Sequence, residues 1–287
     1  MRAERVFGFI RLIRPVNCLM MGLAVVVGAF IGMRSLTIEY EALTRLILGF
    51  ITAFTLTGAS MAINDYYDRE IDAVNEPNRP IPSGLIKPQE SIILATALTV
   101  AGFISAAMTN MTCLLIALAS WIVSLTYSTL GKRTGLPGNM LVSTCISIPF
   151  LYGGAALTGN IECATMLFAA LAFLANTGRE ITKGIVDMEG DRIRGVKTIA
   201  ISHGPKRAAQ VASLFFILAV LLSPLPAALN LTTMWFLPPL IITDIGFIYS
   251  SLSLVRKQTR EEAKKIKNRA LIWMALGLIA FMSGTIK

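Results

Sequence analysis

The sequence predicts an all-α polytopic membrane protein, and three observations lead to this prediction. Hydrophobic residues make up 54% of the 287 residues and charged residues only 15%, which is too apolar for an ordinary soluble enzyme. Apolar stretches long enough to cross a bilayer recur between polar loops. The basic residues behind the net charge of +9 lie almost entirely in alternate loops. Disordered, collagen-like, disulfide-rich secreted and nucleic-acid-binding proteins are excluded by the same composition.

Nine candidate transmembrane helices follow from the apolar stretches, and residues 1–287 are expected to form a single transmembrane domain. A spanning helix needs about 20 apolar residues. The basic start of the chain lacks the small-residue cleavage pattern of a signal peptide, so the first stretch is expected to stay as a span. Eight spans are the alternative count. The nine stretches are 16–33, 43–66, 91–109, 113–130, 138–158, 163–185, 208–228, 233–255 and 270–286.

The distribution of lysine and arginine predicts the orientation of these spans. With nine spans and a cytoplasmic N-terminus, 23 of the 26 basic residues lie on the inner side, and only Arg34, Arg45 and Lys287 lie outside. Basic residues beside spans favour the cytoplasmic side. We therefore predict a multi-pass protein of the cell membrane whose C-terminus is external. The outer loops are short, so the active site is expected to open to the cytoplasmic side.

Several reactive residues carry weaker signals. His203, the only histidine, lies in a basic loop and is expected at the surface. Asp244 lies alone inside the eighth apolar stretch, where a charge is costly, and a paired structural or cavity role is expected for it rather than catalysis. The cysteines lie far apart in apolar runs without a Cys-x-x-Cys pair, so no disulfide or metal site is expected on them. They are Cys18, Cys113, Cys145 and Cys163.

Acidic residues cluster at two corresponding places, the inner ends of the second and sixth predicted spans. In the first cluster, the spacing i, i+3, i+7 places Asp65, Asp68 and Asp72 on one helical face. In the second, Asp187 and Asp191 are spaced i, i+4 and share a face as well. The first aspartates of the two clusters are 122 residues apart. This separation predicts two related halves of the chain that face each other.

The composition of both clusters indicates a site for Mg²⁺ and a diphosphate. Carboxylates this close repel one another unless cations lie between them. A donor set of carboxylates without histidine or cysteine fits Mg²⁺, which takes one or two carboxylates together with phosphate oxygens and water. Arginine and lysine beside such acids would balance phosphate charge. One cluster alone would be read as a solvated helix end. The basic residues that follow the clusters are Arg79, Lys87, Arg192, Arg194 and Lys197.

Taken together, these motifs resemble the UbiA superfamily of intramembrane prenyltransferases. The resemblance covers essentially the whole chain. It implies nine transmembrane helices around a central cavity, two aspartate motifs that bind Mg²⁺-diphosphate, and transfer of a prenyl group to a lipophilic acceptor. The matching segments are Arg14-Pro15-Val16-Asn17, Asn64-Asp65-x-x-Asp68-x-x-x-Asp72, Asn78-Arg79-Pro80-Ile81-Pro82-Ser83-Gly84, Tyr127 with Lys132, Asp187-x-x-x-Asp191 and Gly195-Val196-Lys197-Thr198.

The resemblance also implies a role for each matching residue. The diphosphate with its Mg²⁺ would lie between the two motifs, the basic residues would neutralise phosphate charge, and two further residues would line the cavity. The expected set comprises the Mg²⁺ ligands Asn64, Asp65, Asp68, Asp187 and Asp191, the catalytic Asp72 beside them, Arg79, Lys132 and Lys197 at the departing diphosphate, Arg14 and Lys183 at an acceptor phosphate, and Asn17 and Tyr127 in the cavity.

Within the superfamily, the segment Arg179-Glu180-Ile181-x-Lys183 makes the chain most similar to the archaeal digeranylgeranylglyceryl phosphate synthases. This similarity implies geranylgeranyl transfer from its diphosphate to the free hydroxyl of geranylgeranylglyceryl phosphate. The partners would be a prenyl diphosphate, a lipid-phosphate acceptor and membrane lipid, with no nucleic acid and no obligate protein partner. Two alternatives stay open. The first is prenyl transfer to an aromatic acceptor of a quinone or haem pathway, because the aspartate motifs contact only the diphosphate and do not distinguish acceptors. The second is a divalent-cation transporter.

Overall fold

The computed structural model describes residues 2–34, 40–193 and 195–286, and these residues form helices and short connections with no β-strand. The predicted all-α class is confirmed. Short 3-10 turns cover Gly131–Arg133 and Met234–Phe236. The α-helices are α1 (Arg2–Ile13), α2 (Pro15–Met33), α3 (Tyr40–Asn75), α4 (Pro88–Thr109), α5 (Met111–Thr129), α6 (Leu136–Thr158), α7 (Cys163–Val186), α8 (Met188–Ile193), α9 (Ile199–Leu222), α10 (Leu225–Ala228), α11 (Leu237–Arg256) and α12 (Arg260–Ser283).

Eight segments of the described chain are long and apolar enough to span a membrane, and they contain α2, α3, α4, α5, α6, α9, α11 and α12. The predicted multi-pass architecture is confirmed. The 24 residues of α7 equal a span in length, and α7 packs along α6, α9 and α12. Its residues 176–183 are largely polar, and α7 is not among the eight segments that are apolar enough over the length of a span. The count of nine spans therefore stays a prediction that depends on α7.

The break between α1 and α2 is set by a proline. The ring of Pro15 disfavours the α conformation at the residue before it, and Arg14 takes a left-handed conformation with φ 51° and ψ 71°. Such a conformation costs a non-glycine residue roughly 1–3 kcal/mol and persists only where its surroundings hold it. Pro15 then opens α2 at a position that needs no backbone donor. The turn separates an amphipathic α1 from the apolar α2.

Helices α2 and α6, which begin the two predicted halves, pack against each other through glycines. A methyl group on Gly32 would lie 2.7 Å from the Cα atom of Gly154, and one on Gly28 would overlap the backbone of Phe150. Each of these pairs is 122 residues apart, the separation of the two aspartate clusters. Contacts between equivalent residues arise where a two-fold axis passes between two copies of a unit. The packing therefore supports two related halves.

The order of the helices repeats along the chain in the same way. Helices α2, α3, α4 and α5 form the first half, α6, α7, α9 and α11 form the second, and α12 follows. An aromatic cluster joins the second half to α12. The ring of Phe168 lies 4.6 Å from that of Phe150 and 4.4 Å from that of Phe281, centroid to centroid. These edge-to-face contacts fix α6, α7 and α12 together at the ends of the helices opposite the aspartate clusters.

The glycine contact between α2 and α6 predicts a stability difference between two similar substitutions. We expect Gly28→Ala to destabilise the bundle by about 1–3 kcal/mol, because the methyl group has no room beside the backbone of Phe150. Thermal unfolding in detergent measures this as a lowered midpoint. Gly277→Ala is the control, since its methyl group would lie 3.7 Å from Cγ2 of Thr243, an ordinary contact. Equal midpoints for the two variants would contradict the proposed close packing.

Candidate active site

The first aspartate cluster lies on the last part of α3. This helix has 36 residues, roughly 54 Å of length, so its C-terminal part extends past a bilayer core of about 30 Å. Asp65 and Asp72 are buried, at 4% and 6% relative exposure, and Asp68 is partly buried. Tyr67 and Glu70 on the same helix are exposed. The three carboxylates therefore share one inward face, as their spacing predicts.

Two arginines from other segments hold the buried carboxylates of α3. Arg14 Nη2 donates to Oδ1 of Asp65 at 2.6 Å. Arg79 Nη1 donates to Oδ2 of Asp72 at 2.5 Å and lies 3.6 Å from Oδ1 of Asp65, so it bridges the two aspartates. Removing a carboxylate from water without a partner would cost several kcal/mol, and these contacts offset that cost. The left-handed turn at Arg14 thus places a guanidinium group at the cluster.

Asp68 is held by a third cation. Lys132 Nζ donates to Oδ2 of Asp68 at 2.5 Å, from the 3-10 turn that follows α5. The amide nitrogen of Asn64 donates to the same oxygen at 3.1 Å. The sequence placed Asn64, Asp68 and Lys132 in one site, and the structure brings all three together.

The position of Arg79 depends on a compact turn between α3 and α4. The amide of Ser83 donates to the carbonyl oxygen of Arg79 at 3.0 Å, and the amide of Ile86 donates to that of Pro80 at 2.9 Å. Ile81 and Ile86 are buried against side chains of α1, α3 and α4. This turn is anchored on both sides by apolar packing, so it presents the guanidinium group of Arg79 at a fixed place.

The second aspartate motif lies where α7 ends and the short α8 begins. The amide of Asp187 donates to the carbonyl oxygen of Lys183 at 3.0 Å, and that of Asp191 donates to the carbonyl oxygen of Asp187 at 2.9 Å. Both aspartates are partly buried. From α12, Nε of Arg260 donates to the carbonyl oxygen of Val186 at 3.2 Å. Arg260 therefore fixes the end of α7, a contact that the sequence did not indicate.

The remaining predicted cations lie further out. Lys183 and Lys197 are exposed, and Nζ of Lys183 lies 3.7 Å from Oε2 of Glu180, one turn earlier on α7. Lys183 is therefore directed along its own helix. Arg194 lies outside the described residues.

The donor set of the two motifs fits Mg²⁺ in its chemistry. Within the described part of the chain, no three acidic, histidine or cysteine side chains converge as a ready-made metal site. The carboxylates of α3 are paired instead with arginine and lysine. Mg²⁺ in proteins commonly uses one or two carboxylates and completes its six oxygens with phosphate and water, so it needs no cluster of three. The oxygen-only donors of the two motifs meet that requirement.

A central cavity of about 530 Å³ opens beside the first motif, between α2, α3, α5 and α6. Asn17, Asn64 and Tyr127, all expected from the sequence, line it. Much of the wall is apolar, and some of the hydroxyl groups along it bond to one another. Tyr152, for example, donates its hydroxyl to Oγ1 of Thr52 at 3.1 Å. Such a space suits a hydrocarbon chain with a few polar groups along its path.

Arg179 also lines the central cavity, although the sequence motif gave it no role there. Its Nη1 donates to Oε1 of Glu180 at 2.6 Å, while its Nε is buried without a hydrogen-bond partner in the structure. A guanidinium group with a free donor at a cavity wall is suited to an anion. The signal in the sequence was a charged residue inside the apolar run of α7.

Known proteins resemble this chain in sequence over nearly its whole length. Residues 20–279 match the model of the UbiA prenyltransferase family. Digeranylgeranylglyceryl phosphate synthase of Archaeoglobus fulgidus is 36% identical over 277 residues, which cover 95% of this chain and 93% of that protein. The synthase of the same name from Methanosarcina mazei is 36% identical over 286 residues, which cover 96% and 97%.

Solved structures resemble this chain in fold. A structure described as that of digeranylgeranylglyceryl phosphate synthase in membranes matches with a TM-score of 0.90 at 32% identity, covering 99% of each chain. A UbiA homologue from Archaeoglobus fulgidus bound to GPP and Mg²⁺ matches with a TM-score of 0.67 at 20% identity, covering 96% of this chain and 99% of that one. At that identity the second likeness concerns the fold alone.

The bridge between Asp72 and Arg79 predicts a measurable coupling. Arg79→Gln leaves the buried carboxylate of Asp72 without its cation, so we expect a loss of about 1–3 kcal/mol of stability. Adding Asp72→Asn should restore part of it, because the unpaired charge is then gone. Thermal unfolding of the two single variants and the double variant in detergent measures the coupling. Strictly additive effects would mean that the two side chains do not depend on each other.

Proposed function

This chain belongs to the UbiA prenyltransferase family, and we propose that it transfers geranylgeranyl from geranylgeranyl diphosphate to the free hydroxyl of geranylgeranylglyceryl phosphate. The reaction would form the second ether bond of an archaeal membrane lipid. One observation carries the proposal: three carboxylates on one face of α3 are each held by a cation from another segment, and Asn64, which donates to one of them, lines an apolar cavity inside a membrane bundle. The relatives from Archaeoglobus fulgidus and Methanosarcina mazei are named for this activity.

In the proposed reaction, oxygens of both motifs would hold Mg²⁺. Asp65 and Asp68 with Asn64 would supply ligands from α3, and Asp187 and Asp191 from the other half of the bundle. When bound, the metal neutralises charge on the diphosphate oxygens. A homologue of this fold has been described with GPP and Mg²⁺ together, and that supports the assignment.

The cations that hold the carboxylates would also contact the diphosphate. Arg14, Arg79 and Lys132 surround the first motif from three directions. Their donors would stabilise the negative charge that develops on the diphosphate as the allylic C–O bond breaks. This proposal places Arg14 at the diphosphate of the prenyl donor, whereas the sequence analysis places it at the phosphate of the acceptor. The structure gives it a partner at Asp65, so the proposal changes its role.

The central cavity would protect the reacting carbon from water. An allylic cation reacts with any nearby water to give the free alcohol, so the apolar wall favours capture by the acceptor hydroxyl. The acceptor oxygen forms the new ether bond as the bond to diphosphate breaks, and its proton passes to a base. Asp72, Glu180 and the departing diphosphate are the candidates for that base. Arg179, with its free Nε in the cavity wall, and Lys183 would hold the acceptor phosphate.

The orientation in the membrane is part of the proposal. We place the N-terminus and both aspartate motifs on the cytoplasmic side and the C-terminus outside, within one transmembrane domain of residues 1–287. The support is the segregation of 23 of the 26 basic residues to one side of nine spans. Prenyl diphosphates and lipid phosphates would then reach the site from the cytoplasmic leaflet.

The catalytic proposal predicts that Asp65→Asn strongly reduces turnover. Purified protein in detergent would receive labelled geranylgeranyl diphosphate and Mg²⁺, with geranylgeranylglyceryl phosphate in one tube and 4-hydroxybenzoate in another. We expect a diether in the first tube only, lost with EDTA, and a fall on the order of 10²–10³-fold in the variant. The matched control is Glu70→Gln, which removes an exposed carboxylate of the same helix.

Three outcomes would contradict the catalytic proposal. Full activity of Asp65→Asn would remove the role of the first motif. A prenylated aromatic ring would replace the lipid acceptor. Metal flux into vesicles without any lipid product would favour a transporter. Unchanged unfolding midpoints for both variants would show that the effects are chemical.

The orientation predicts which cysteines react from outside. Cys163, at the start of α7, is free and exposed, and the proposal places it on the outer side. A membrane-impermeant maleimide added to intact cells should therefore label it. In a Cys163→Ser background, Lys257→Cys should react only in inverted vesicles, because residue 257 follows α11 on the inner side. Labelling of both positions from the same side would contradict a spanning α7.

A further inference from the structure

A second cavity lies in the other half of the bundle. Its volume is about 280 Å³, and residues of α6, α7, α9, α11 and α12 line it. Met20 of α2 and Ile146 of α6 line both this second cavity and the central cavity. The two cavities therefore adjoin at these two side chains. The central cavity thus lies mainly against the first half of the chain and the second cavity mainly against the second half, with α6 as the shared wall.

The polar side chains of the second cavity are engaged within the protein. Ser223 Oγ donates to Oδ2 of Asp244 at 2.7 Å. Thr243 Oγ1 donates to a backbone carbonyl oxygen at 2.9 Å, and Nε1 of Trp273 donates to Oγ of Ser250 at 3.1 Å. The rest of the wall is aliphatic or aromatic. Such a lining favours hydrocarbon over a charged headgroup. It also gives Asp244 the paired position in a cavity that the sequence predicts.

We propose that the second cavity binds the hydrocarbon chain of the acceptor lipid, while the central cavity binds that of the donor. This inference rests on the proposed function, which brings two prenyl chains to one bundle. Asn64 lines the central cavity and bonds to Asp68, so the diphosphate end of the donor leads into the central cavity. The chain of the acceptor needs a separate apolar space that adjoins the first. The cavity beyond Met20 and Ile146 provides it.

The proposal makes Met20 and Ile146 determinants of specificity for the acceptor. Any chain that passes from the reaction centre into the second cavity must pass these two side chains. Their sulfur-containing and branched aliphatic groups offer no strong hydrogen bond, so selection there acts through shape and chain length. The prenyl chain of the donor does not pass these two side chains, so selection of the donor is independent of them.

Tryptophan fluorescence can locate the acceptor chain directly. Trp121 lines the central cavity, Trp273 lines the second cavity, and Trp235 is exposed at 59%. Two variants would each keep one cavity tryptophan, with the other two replaced by phenylalanine. The probe is geranylgeranylglyceryl phosphate with a nitroxide near the end of its chain. We expect it to quench Trp273 more than Trp121, and an excess of unlabelled acceptor should reverse the quenching.

A nitroxide-labelled geranylgeranyl diphosphate is the matching donor probe. It should quench Trp121 and leave Trp273 unchanged. Quenching of Trp121 alone by the acceptor probe, or of Trp273 by the donor probe, would overturn the proposal. A variant that keeps only Trp235 measures the background from probe dissolved in the detergent.

Filling the second cavity tests the same proposal by kinetics. Ala172 lines this cavity, so Ala172→Phe should raise KM for the C20 acceptor on the order of tenfold. KM for the donor and for an acceptor with a much shorter chain should stay unchanged. Ala97→Phe, on an exposed face of α4, is the control. A rise in the donor KM, or an equal rise for both acceptors, would overturn the assignment.

The two proposals fail in distinguishable ways. If the wild-type protein makes no diether, the proposed function fails. If the diether forms but the acceptor probe quenches only Trp121, the function stands and the assignment of the second cavity fails. The quenching experiment also decides the matter if Ala172→Phe does not fold, because it leaves the lining at Ala172 intact.

Discussion

Charge pairing at the edge of an apolar bundle is the constraint on which this structure depends. A carboxylate as buried as that of Asp65 or Asp72 needs a cation beside it. To form a site between segments, that cation must come from a segment other than the helix that carries the carboxylate. Three unusual local conformations meet that need: the left-handed residue Arg14, the proline-rich turn around Arg79 and the 3-10 turn with Lys132. Proline and apolar packing set these conformations, and the conformations place the cations at the buried carboxylates.

A second constraint arises because helices in lipid gain little from burying apolar surface against one another. Close contact and internal hydrogen bonds must hold them together instead. Glycines give α2 and α6 that contact along one seam. Away from this contact the helices separate and leave cavities, and some of the polar side chains that face these cavities bond to each other, as Ser60 and Ser124 do at 2.5 Å. The close contact of α2 with α6 and the two cavities described above are consequences of the same packing.

The sequence predicts the class of fold and most of the first motif because both depend on local pattern. Hydropathy identifies spans, and helical spacing alone places Asp65, Asp68 and Asp72 on one face. It does not predict which cation meets which carboxylate, since Arg14 reaches Asp65 through a turn whose direction only the folded chain defines. Local pattern also does not predict the contact of Arg260 with the end of α7. It does not predict the second cavity either, because both features join segments that lie far apart in the chain.

The polar last third of α7 has a consequence for biosynthesis. A segment that carries Arg179, Glu180 and Lys183 partitions poorly into lipid by itself, since a lysine or arginine costs about 2.5–3.5 kcal/mol at the centre of a span and less towards its end. On the nine-span prediction, the retention of α7 in the membrane would depend on neighbours that shield those groups, chiefly α6, which is made before it, and α9, which is made after it. Integration of this helix during translation would then be a cooperative event that waits until α9 has emerged.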